Sequence, residues 1–471
     1  MNKINEFSVS AATNFIIDWG LSDRMKTLPI MTVSGIRGKY GETLDEEFVS
    51  RIAFIQTRIA GVGKIVIGRD TRPTGPALAR AAARGILAAG GVPVDIGVAP
   101  TPTVCVAAAD LGANGGVIIT ASHNPTPYNG YKMVHKSGRL FRGEECEAVY
   151  SAFRAGDYPK SEEFAKHAGE RVNSVDASSL HIDRILSCVD APLIRSKNIR
   201  IAVDSINGAA GAVFPKLLSA LSVQWEGVNN KLDGDFVHNP EPRPEHLGDL
   251  RRLLSGGGFW GGFAFDPDAD RLATMGEAGQ EVSEEMTLAL ALQNILTKKP
   301  DNVATNLSTS MVIDDVAAKH GVSAIRTKIG EANVVEGMRA NRCIAGGEGN
   351  GGVIYPAVCM ARDGLTGLAL ILEEMAETGK KLYELAMDWP VYYIVKEKIP
   401  CADADPAALI DKLNNAFANE KRDMTDGLKI IRDYGWVHLR PSNTEPIIRC
   451  YAEAKSMDQA KELANMVLGL A

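Results

Sequence analysis

Three aspartates at alternate positions are the first residues in this chain whose type and spacing suggest chemistry. The stretch FAFDPDADRLATMGE, residues 263–277, contains Asp266, Asp268 and Asp270. In an extended loop their carboxylates can converge on one point, and three like charges repel strongly unless a cation lies among them. Hard oxygen ligands suit Mg²⁺, which keeps positions open for water or a phosphate oxygen. The spacing predicts one magnesium site, and a solvated acidic turn is the alternative.

A calcium-binding EF-hand is a competing interpretation of these acids, because Glu277 is the twelfth residue counted from Asp266. The sixth position of such a loop is Gly, whereas this chain has Arg271 there. A Gly-rich strand pattern, GGGFWGGFAF, precedes the loop where an EF-hand has a helix. Both features disfavour the EF-hand.

A second candidate site follows an apolar run in GGVIITASHNPTPYNGYKMV, residues 115–134. The run 117–119 is typical of a buried strand, and Ser122 comes shortly after its end. We expect such a serine to be held rigidly and exposed at an edge of the sheet, a suitable position for a nucleophile or a phosphoryl carrier. A serine that only caps a turn is the alternative.

A serine hydrolase is disfavoured at this position. The G-x-S-x-G elbow is missing, since Thr120 and Asn124 flank Ser122 two positions away. His123 is adjacent in sequence, and neighbouring side chains on an extended segment point apart. Adjacency therefore does not make His123 the base for Ser122.

A third loop, AGGEGNGGVIYP, surrounds Glu348 and Asn350 with glycines. Glycine lets the backbone approach a ligand, and these two polar side chains are suited to sugar hydroxyls. A flexible turn explains the loop about as well.

A fourth loop lies in RPSNTEPIIR and contains two arginines, two hydroxyl side chains and an amide: Arg440, Ser442, Asn443, Thr444 and Arg449. A guanidinium fork with hydroxyls and turn amides suits a dianionic phosphate. A capping turn with surface arginines is the alternative.

The elements that position these loops follow a repeated order. A strand, helix and strand pattern begins at Lys64, Asn198 and Asn302, whereas the last stretch indicates three strands and a final helix. Alternating short strands and amphipathic helices indicate α/β layers with largely parallel strands. We predict three similar α/β domains in series plus a smaller C-terminal α+β domain. The predicted domains are residues 1–170, 171–277, 278–390 and 391–471.

Bulk composition excludes several partner classes. The 471 residues include 51 basic and 58 acidic side chains, a net charge of −7, with 45% hydrophobic and 23% charged residues. A folded protein without a basic run is not expected to bind nucleic acid. The sequence has no apolar stretch long enough for a membrane span or signal peptide, so a cytoplasmic location is expected. Its seven widely spaced cysteines predict reduced thiols rather than zinc ligands or disulfides.

The four loops together resemble those of the α-D-phosphohexomutase superfamily, over essentially the whole chain. TASHNP with NGYK is similar to its phosphoserine loop, DPDADR to its metal loop, GEGNGG to its sugar-binding loop and RPSNTEP to its phosphate-binding loop. SGIRG and GVAPTPTV are also similar to its members. The resemblance implies mixed sheets between helices, with four domains arranged around a central cleft.

The resemblance also implies a mechanism and a set of roles. Ser122 would carry a phosphoryl group, pass it to a hexose monophosphate to give a 1,6-bisphosphate, and take back the other phosphoryl after the sugar turns. Ser122 and the three aspartates would bind one Mg²⁺, and Arg37, Lys132 and His123 would act beside the phosphoserine. The substrate-binding residues would be Arg271, Lys328, Glu348, Asn350, Arg440, Ser442, Asn443, Thr444 and Arg449. A monomer or a homodimer is expected.

Two positions depart from the pattern of many superfamily members. Asn350 stands where they have Ser, and Gly352 where they have His, so an acid/base role of that His does not carry over to this chain. Pro267 replaces a more usual Gly in the metal loop, which leaves the carboxylates in place.

The preferred sugar is a separate question. GGEGNGG, TKIGEANVVEGM and the last strands resemble an archaeal-type phosphoglucosamine mutase group most, and a phosphoglucomutase/phosphomannomutase is the alternative. Two other classes are a metal-dependent sugar phosphatase, for which no positioned water is identified, and a sugar-phosphate-binding protein without catalysis.

Overall fold

The structure, a computed structural model, describes residues 27–401, 405–441 and 447–469. Within these residues the strands form four sheets of seven, four, four and five strands. The first three sheets combine parallel pairs with antiparallel edges and pack against helices, and the last is antiparallel with two helices. The predicted fold class is confirmed, while the predicted domain boundaries stay predictions.

The first sheet has the order β1-β2-β6-β5-β3-β4-β7 and carries the serine loop after β5. Pairs from β5 to β7 are parallel, and those from β1 to β5 are antiparallel. Its strands are β1 (Ile30–Thr32), β2 (Gly35–Lys39), β3 (Lys64–Arg69), β4 (Val92–Val98), β5 (Gly115–Ile119), β6 (Tyr128–His135) and β7 (Asn173–Ser174). Its helices are α1 (Glu46–Ile59), α2 (Gly75–Ala88), α3 (Thr101–Asp110), α4 (Gly143–Ala155) and α5 (Ser161–Ala165).

The second sheet, in the order β11-β10-β8-β9, carries the acidic loop between β10 and β11. Its strands are β8 (Arg200–Asp204), β9 (Gln224–Val228), β10 (Gly262–Phe265) and β11 (Leu272–Met275). The accompanying helices are α6 (Ser178–Leu186), α7 (Ala191–Arg195), α8 (Phe214–Ala220) and α9 (Gly248–Leu254). Phe214 stacks on Phe265 at 6.2 Å between ring centroids, so the strand that enters the acidic loop is anchored in the core.

The third sheet, in the order β13-β12-β14-β15, carries the glycine-rich loop between β14 and β15. Its strands are β12 (Val303–Asn306), β13 (Ala324–Thr327), β14 (Ala345–Glu348) and β15 (Gly352–Ile354). Its helices are α10 (Glu285–Lys298), α11 (Val312–Lys319), α12 (Glu331–Asn341), α13 (Gly364–Thr378) and α14 (Leu382–Met387). Helices α10 and α13 are buried along most of their length, and their residues join those of the second sheet in one hydrophobic cluster.

The fourth sheet is antiparallel in the order β16-β20-β19-β18-β17. Its strands are β16 (Tyr393–Pro400), β17 (Lys421–Asp423), β18 (Leu428–Arg432), β19 (Gly435–Pro441) and β20 (Ile447–Ala454), with helices α15 (Pro406–Ala416) and α16 (Met457–Leu468). The edge strand β16 comes from the start of the predicted fourth domain. The sheet and its helices enclose a separate hydrophobic cluster.

At least one described residue from each of the four candidate loops lines a common cleft. In each of the first three sheets the loop follows a strand that pairs in parallel with its neighbour, and ligands of α/β sheets bind beyond such carboxyl ends. One cavity of about 300 Å³ has lining residues from all four domains, among them His123, Arg271, Glu348 and Arg449. No helix among the described residues is long and apolar enough to cross a membrane.

Candidate active site

The serine loop bends sharply after β5. Ser122 has a φ of +48°, in the left-handed region, and its backbone N–H donates to Thr120 Oγ1 at 2.9 Å. The Thr120 hydroxyl donates in turn to Asp70 Oδ2 at 2.7 Å. Ser122 is 0% exposed, so the expectation that the strand end would expose it is wrong. The bend turns the serine inward, toward the acidic loop, rather than outward at the sheet edge.

Arg72, which the sequence motifs did not indicate, holds this bend in place. Its fully buried guanidinium donates from Nε to Asp70 Oδ2 at 3.0 Å. Four backbone carbonyls of the serine loop accept from its two terminal nitrogens at 2.6–3.0 Å, those of Ser122, Asn124, Pro125 and Tyr128. Asp70 and Arg72 follow directly after β3. This pair of charged residues was the signal in the sequence that could have identified Arg72, because buried charges need partners.

His123 lies against Ser122, with Nδ1 3.3 Å from Ser122 Oγ. The expectation that the two side chains point apart is wrong, because Ser122 adopts a left-handed rather than an extended conformation. The Arg271 charge, burial and Arg37 together lower the pKa of His123 to about 2. The imidazole is therefore neutral at physiological pH and does not add a cation to the site.

The three aspartates meet in a tight turn, not in the extended loop that we expected. Ala269 has a φ of +54°, and its N–H donates to Asp266 O at 3.0 Å. The turn brings one carboxylate oxygen of each of Asp266, Asp268 and Asp270 within 4.8 Å of one another. All three residues are fully buried. This is the only such cluster of acids, histidines or cysteines in the part of the chain that the structure describes.

The donor set of this acidic turn fits a metal ion. The Oδ2 atom of Asp268 accepts from Thr101 Oγ1 at 2.6 Å and Lys132 Nζ at 2.7 Å, whereas the Oδ1 atoms of Asp268 and Asp270 are buried without a hydrogen-bond partner. Leaving a buried carboxylate oxygen unsatisfied is unfavourable. Burial and the two neighbouring carboxylates raise the pKa of Asp266 well above its usual range. A divalent cation would satisfy the free oxygens and relieve this repulsion.

The serine hydroxyl faces this turn directly. Ser122 Oγ donates to Asp266 Oδ2 at 3.1 Å, although 144 positions separate the two residues in sequence. A phosphoryl group on Ser122 would therefore lie beside the acids.

Lys132 and Arg37 supply positive charge on the same side of the cleft. Lys132, on β6, is paired with Ile118 on β5, and its Nζ lies 2.7 Å from Asp268 and 3.1 Å from Asp270. Burial lowers the pKa of Lys132, but these two carboxylates outweigh burial and raise it above the usual range. Arg37 donates from Nη1 to Asn124 Oδ1 at 2.8 Å. Arg37 and Lys132 line a second cavity, of about 200 Å³.

The sugar-loop residues line both cavities. Glu348 ends β14, and its Oε1 accepts from Asn306 Nδ2 at 2.9 Å and from the Gly330 N–H at 3.0 Å. Asn350 has a buried Oδ1 with no hydrogen-bond partner among the described residues. Arg271 lines both cavities as well, 3.6 Å from Glu241. The structure therefore brings these three predicted substrate-binding residues to one place.

The remaining predicted residues are more dispersed. Arg449 and Lys396, which was not predicted, line the larger cavity from the fourth sheet. Arg440 pairs across β19 and β20 with Arg449, and its Nε lies 3.2 Å from Asp426. Lys328 is exposed at the end of β13. Ser442, Asn443 and Thr444 lie outside the described residues.

This arrangement is suited to phosphoryl transfer. A hydroxyl faces an acidic turn with free ligand oxygens, a lysine lies against the same acids, and polar groups line the adjoining cavities. Catalysis of such a transfer depends mainly on positioning and on stabilising the charge of the transferred group.

Comparison with known domain families gives one consistent result. Residues 30–160, 179–279 and 283–392 match the α/β/α domains I, II and III described as phosphoglucomutase/phosphomannomutase, and residues 397–470 match the C-terminal domain of the same description. The four matches follow one another in the expected order, and the segments between them are short.

Relatives of similar length agree with these matches. A probable phosphoglucosamine mutase of Methanopyrus kandleri is 38% identical over 92% of this chain and 95% of its own length. A phosphoglucomutase/phosphomannomutase of Thermococcus kodakarensis is 36% identical over 93% and 97%. Among solved structures, a phosphoglucomutase/phosphomannomutase family protein from Burkholderia thailandensis superposes with a TM-score of 0.82 at 26% identity, covering 93% of this chain and 96% of that one.

Proposed function

The chain belongs to the phosphoglucomutase/phosphomannomutase family, and we propose that it interconverts hexose 6-phosphates and hexose 1-phosphates through a phosphoserine at Ser122. Such a phosphohexomutase is an isomerase that transfers a phosphoryl group within one substrate. A hexose 1,6-bisphosphate is the intermediate in this proposal, and it would also serve as the activator.

One observation carries the assignment of Ser122. Its hydroxyl oxygen lies 3.1 Å from Asp266 in the acidic turn, where two further acids each present a buried oxygen without a hydrogen-bond partner. Asp266, Asp268, Asp270 and an oxygen of the phosphoserine would hold one Mg²⁺, which would neutralise charge that develops during transfer. A phosphatase would need a positioned water, for which no residue is identified.

The proposed transfer needs no reactant besides the phosphoserine and the sugar phosphate. A sugar hydroxyl oxygen attacks phosphorus, the bond between phosphorus and Ser122 Oγ breaks, and the hydroxyl proton in net terms replaces the phosphoryl group on Oγ. Lys132, held between Asp268 and Asp270, would stabilise negative charge on the transferred group. After the bisphosphate turns, the same step in reverse returns the other phosphoryl group to Ser122.

The opposite side of the cleft would hold the sugar and the phosphate that is not reacting. Glu348 and Asn350 would contact sugar hydroxyls, and Arg449 with Arg440 would bind the distal phosphate. Arg271 and Lys328 would contribute further contacts to the substrate. Because the fourth domain must accept either end of the sugar, we expect it to close around the substrate and loosen while the intermediate turns.

We propose glucosamine phosphate as the preferred substrate, with glucose or mannose phosphate as the alternative. The names of the two relatives above support one choice each, and the higher identity is to the probable phosphoglucosamine mutase. Parallel rates on glucosamine, glucose and mannose 6-phosphates with a coupled readout would decide between them. The cytoplasmic location and the monomeric or homodimeric state stay predictions.

The phosphoserine is tested by intact-protein mass analysis before and after incubation with a hexose 1,6-bisphosphate. We expect a roughly 80-dalton addition in the wild type and none in Ser122→Ala. An addition that persists in Ser122→Ala would show that another residue carries the phosphoryl group. Stoichiometric release of inorganic phosphate with substrate loss would indicate a phosphatase instead.

A further inference from the structure

Arg362 lies at the centre of the site but belongs to none of the four loops. It is in the short segment between β15 and α13, and it is 8% exposed. Its side chain reaches carboxylates that come from three different parts of the chain.

Those contacts join the acidic turn to the sugar loop. Arg362 Nη2 donates to Asp270 Oδ2 at 2.7 Å, and Nη1 donates to Glu348 Oε2 at 2.9 Å. Its Nε lies 3.2 Å from Glu331 Oε2, and its backbone N–H donates to Glu331 Oε1 at 3.0 Å. The planar fork of a guanidinium can hold two carboxylates in a fixed relation, which a lysine ammonium does not.

Gly352 leaves room for this side chain. A Cβ atom added at Gly352 would lie 2.3 Å from Arg362 Cδ and 2.9 Å from Cγ, far inside van der Waals contact. The space that a side chain at position 352 would need is therefore filled by the stem of Arg362. The glycine that departs from the superfamily pattern and the arginine form a matched pair.

The backbone on either side of Arg362 is fixed. The Asp363 N–H donates to Val353 O at 2.7 Å, and the Gly364 N–H donates to Ala269 O at 3.1 Å. Asp363 Oδ2 lies 2.8 Å from His181 Nε2, and its Oδ1 accepts from the first N–H groups of α13. The guanidinium is thus carried on a segment attached to both the acidic turn and the sugar loop.

We propose that Arg362 is a positioning residue that sets the acidic turn and the sugar loop in one fixed relation, and that Gly352 is required because any side chain there would displace it. Its bond is to Oδ2 of Asp270, so Oδ1 of that carboxylate, which lies 3.8 Å from Arg271 Nε and has no hydrogen-bond partner, would be available to a metal. Its bond to Glu348 orients that residue in the cavity. The consequence for hexose phosphates rests on the proposed function, whereas the consequence for metal binding does not.

Arg362→Lys tests whether the site needs the bridge between the two loops or only the positive charge of Arg362. The variant keeps the cation but loses the fork, so we expect metal-free protein titrated with Mg²⁺ in a calorimeter to bind about tenfold more weakly. The KM for the hexose phosphate should rise by a similar factor. If Arg362 only neutralised buried charge, the lysine variant would keep wild-type values of both, and the proposal would be overturned.

Gly352→Ala tests the same bridge with every charge retained. We expect the added methyl group to displace Arg362 and to weaken Mg²⁺ binding and raise KM severalfold. Gly248→Ala is the matched control, because an added Cβ there meets no atom within 4 Å, and it should match the wild type. A merely structural defect would lower only the active fraction, leaving KM and the Mg²⁺ dissociation constant unchanged.

The double variant Gly352→Ala/Arg362→Ala, compared with the two single variants, completes a double-mutant cycle. Once the arginine stem is absent, the nearest remaining contact of the methyl group is Asn350 Oδ1 at 3.2 Å, so the KM of the double variant should lie close to that of Arg362→Ala. Additive losses would overturn the pairing of the two residues. Absence of mutase turnover in the wild type would refute the proposed function alone, because the calorimetric titrations would still test the bridge.

Discussion

The two sides of the cleft differ in how far their polar groups are removed from water. On the transfer side Ser122 and the three aspartates are each 0% exposed. On the facing side the Lys396 side chain is 40% exposed, and Arg449 is only partly buried. Charges in a dry site interact more strongly, which suits the step in which charge moves. An open and wetter side suits groups that must bind one end of a sugar, release it and bind the other.

The two sides also differ in how their charges are held. Lys132 lies between Asp268 and Asp270, so its ammonium has little freedom to move. Lys396 pairs with Glu284 at 3.1 Å near the surface, where such ion pairs contribute little stability. Arg362 joins the acidic turn to Glu348 of the sugar loop. Rigid positioning is therefore concentrated where we place the reacting phosphoryl group.

Removing the proposed phosphoryl carrier gives the largest expected effect. Ser122→Ala should lower kcat by about ten-thousandfold or more, because the attacking and leaving oxygen is gone. Coupled assays on hexose 6-phosphates provide the measurement. Ser255→Ala, which removes an exposed hydroxyl after α9, is the control and should match the wild type. Substantial turnover in Ser122→Ala would show that the transfer does not take place at Ser122.

Weakening the acidic turn should have the next largest effect. Asp268→Asn removes a charge from the predicted ligand set, and we expect kcat to fall by about a hundred- to a thousandfold. Rates measured across a Mg²⁺ titration test this. Asp249→Asn, where the side chain is exposed near the start of α9, is the matched control. Near-normal Mg²⁺-dependent rates in Asp268→Asn would contradict the metal assignment.

Substitutions on the open side of the cleft should change substrate binding rather than turnover. Arg440→Ala removes one donor of the charge-assisted bond that we propose to the distal phosphate, and we expect KM to rise about ten- to a hundredfold while kcat changes little. Steady-state kinetics separate the two parameters. Arg432→Ala breaks a similar ion pair, with Glu420, on the same sheet and should leave KM unchanged. An unchanged KM in Arg440→Ala would exclude this residue from phosphate binding.

The smallest effect concerns one of the contacts between the third and fourth domains. Lys429 donates to the Leu307 carbonyl and lies 4.1 Å from the Trp436 ring centroid, and burial with Arg326 lowers its pKa to about 7. An unfolded lysine titrates near ~10.4, so the unfolded chain binds more protons between these values. The contribution of Lys429 to stability is therefore full above that range and is lost as pH falls toward 7.

Urea unfolding midpoints at pH 7 to 10 measure this contribution. The slope of the midpoint against pH should be shallower in Lys429→Met than in the wild type, with little change in kcat at either end. Lys421→Met, at an exposed position on β17, should keep the wild-type slope. Identical slopes in all three proteins would show that Lys429 is not buried against the third domain.

Sequence patterns were sufficient for the fold class and for the order of the loops. Strand and helix periodicity at Lys64, Asn198 and Asn302 predicted the starts of three α/β units, and β3, β8 and β12 follow there. The three aspartates could also be predicted from the sequence as a metal site, because alternating carboxylates that converge need a cation. Local conformation was less predictable. The left-handed φ of Ser122 and Ala269 turned two segments that we expected to be extended into tight bends.

The sequence by itself determined which side chains carry charge and hydroxyl groups, and on which strand ends they occur, because both follow from local pattern. Only the tertiary structure decided which of them meet. Asp270 and Arg362 are 92 positions apart, and Asp70 and Thr120 are 50 apart, yet both pairs form buried hydrogen bonds. Such partners are selected by packing and by the need to satisfy every buried charge, and nothing in the residues next to Arg362 indicates either constraint.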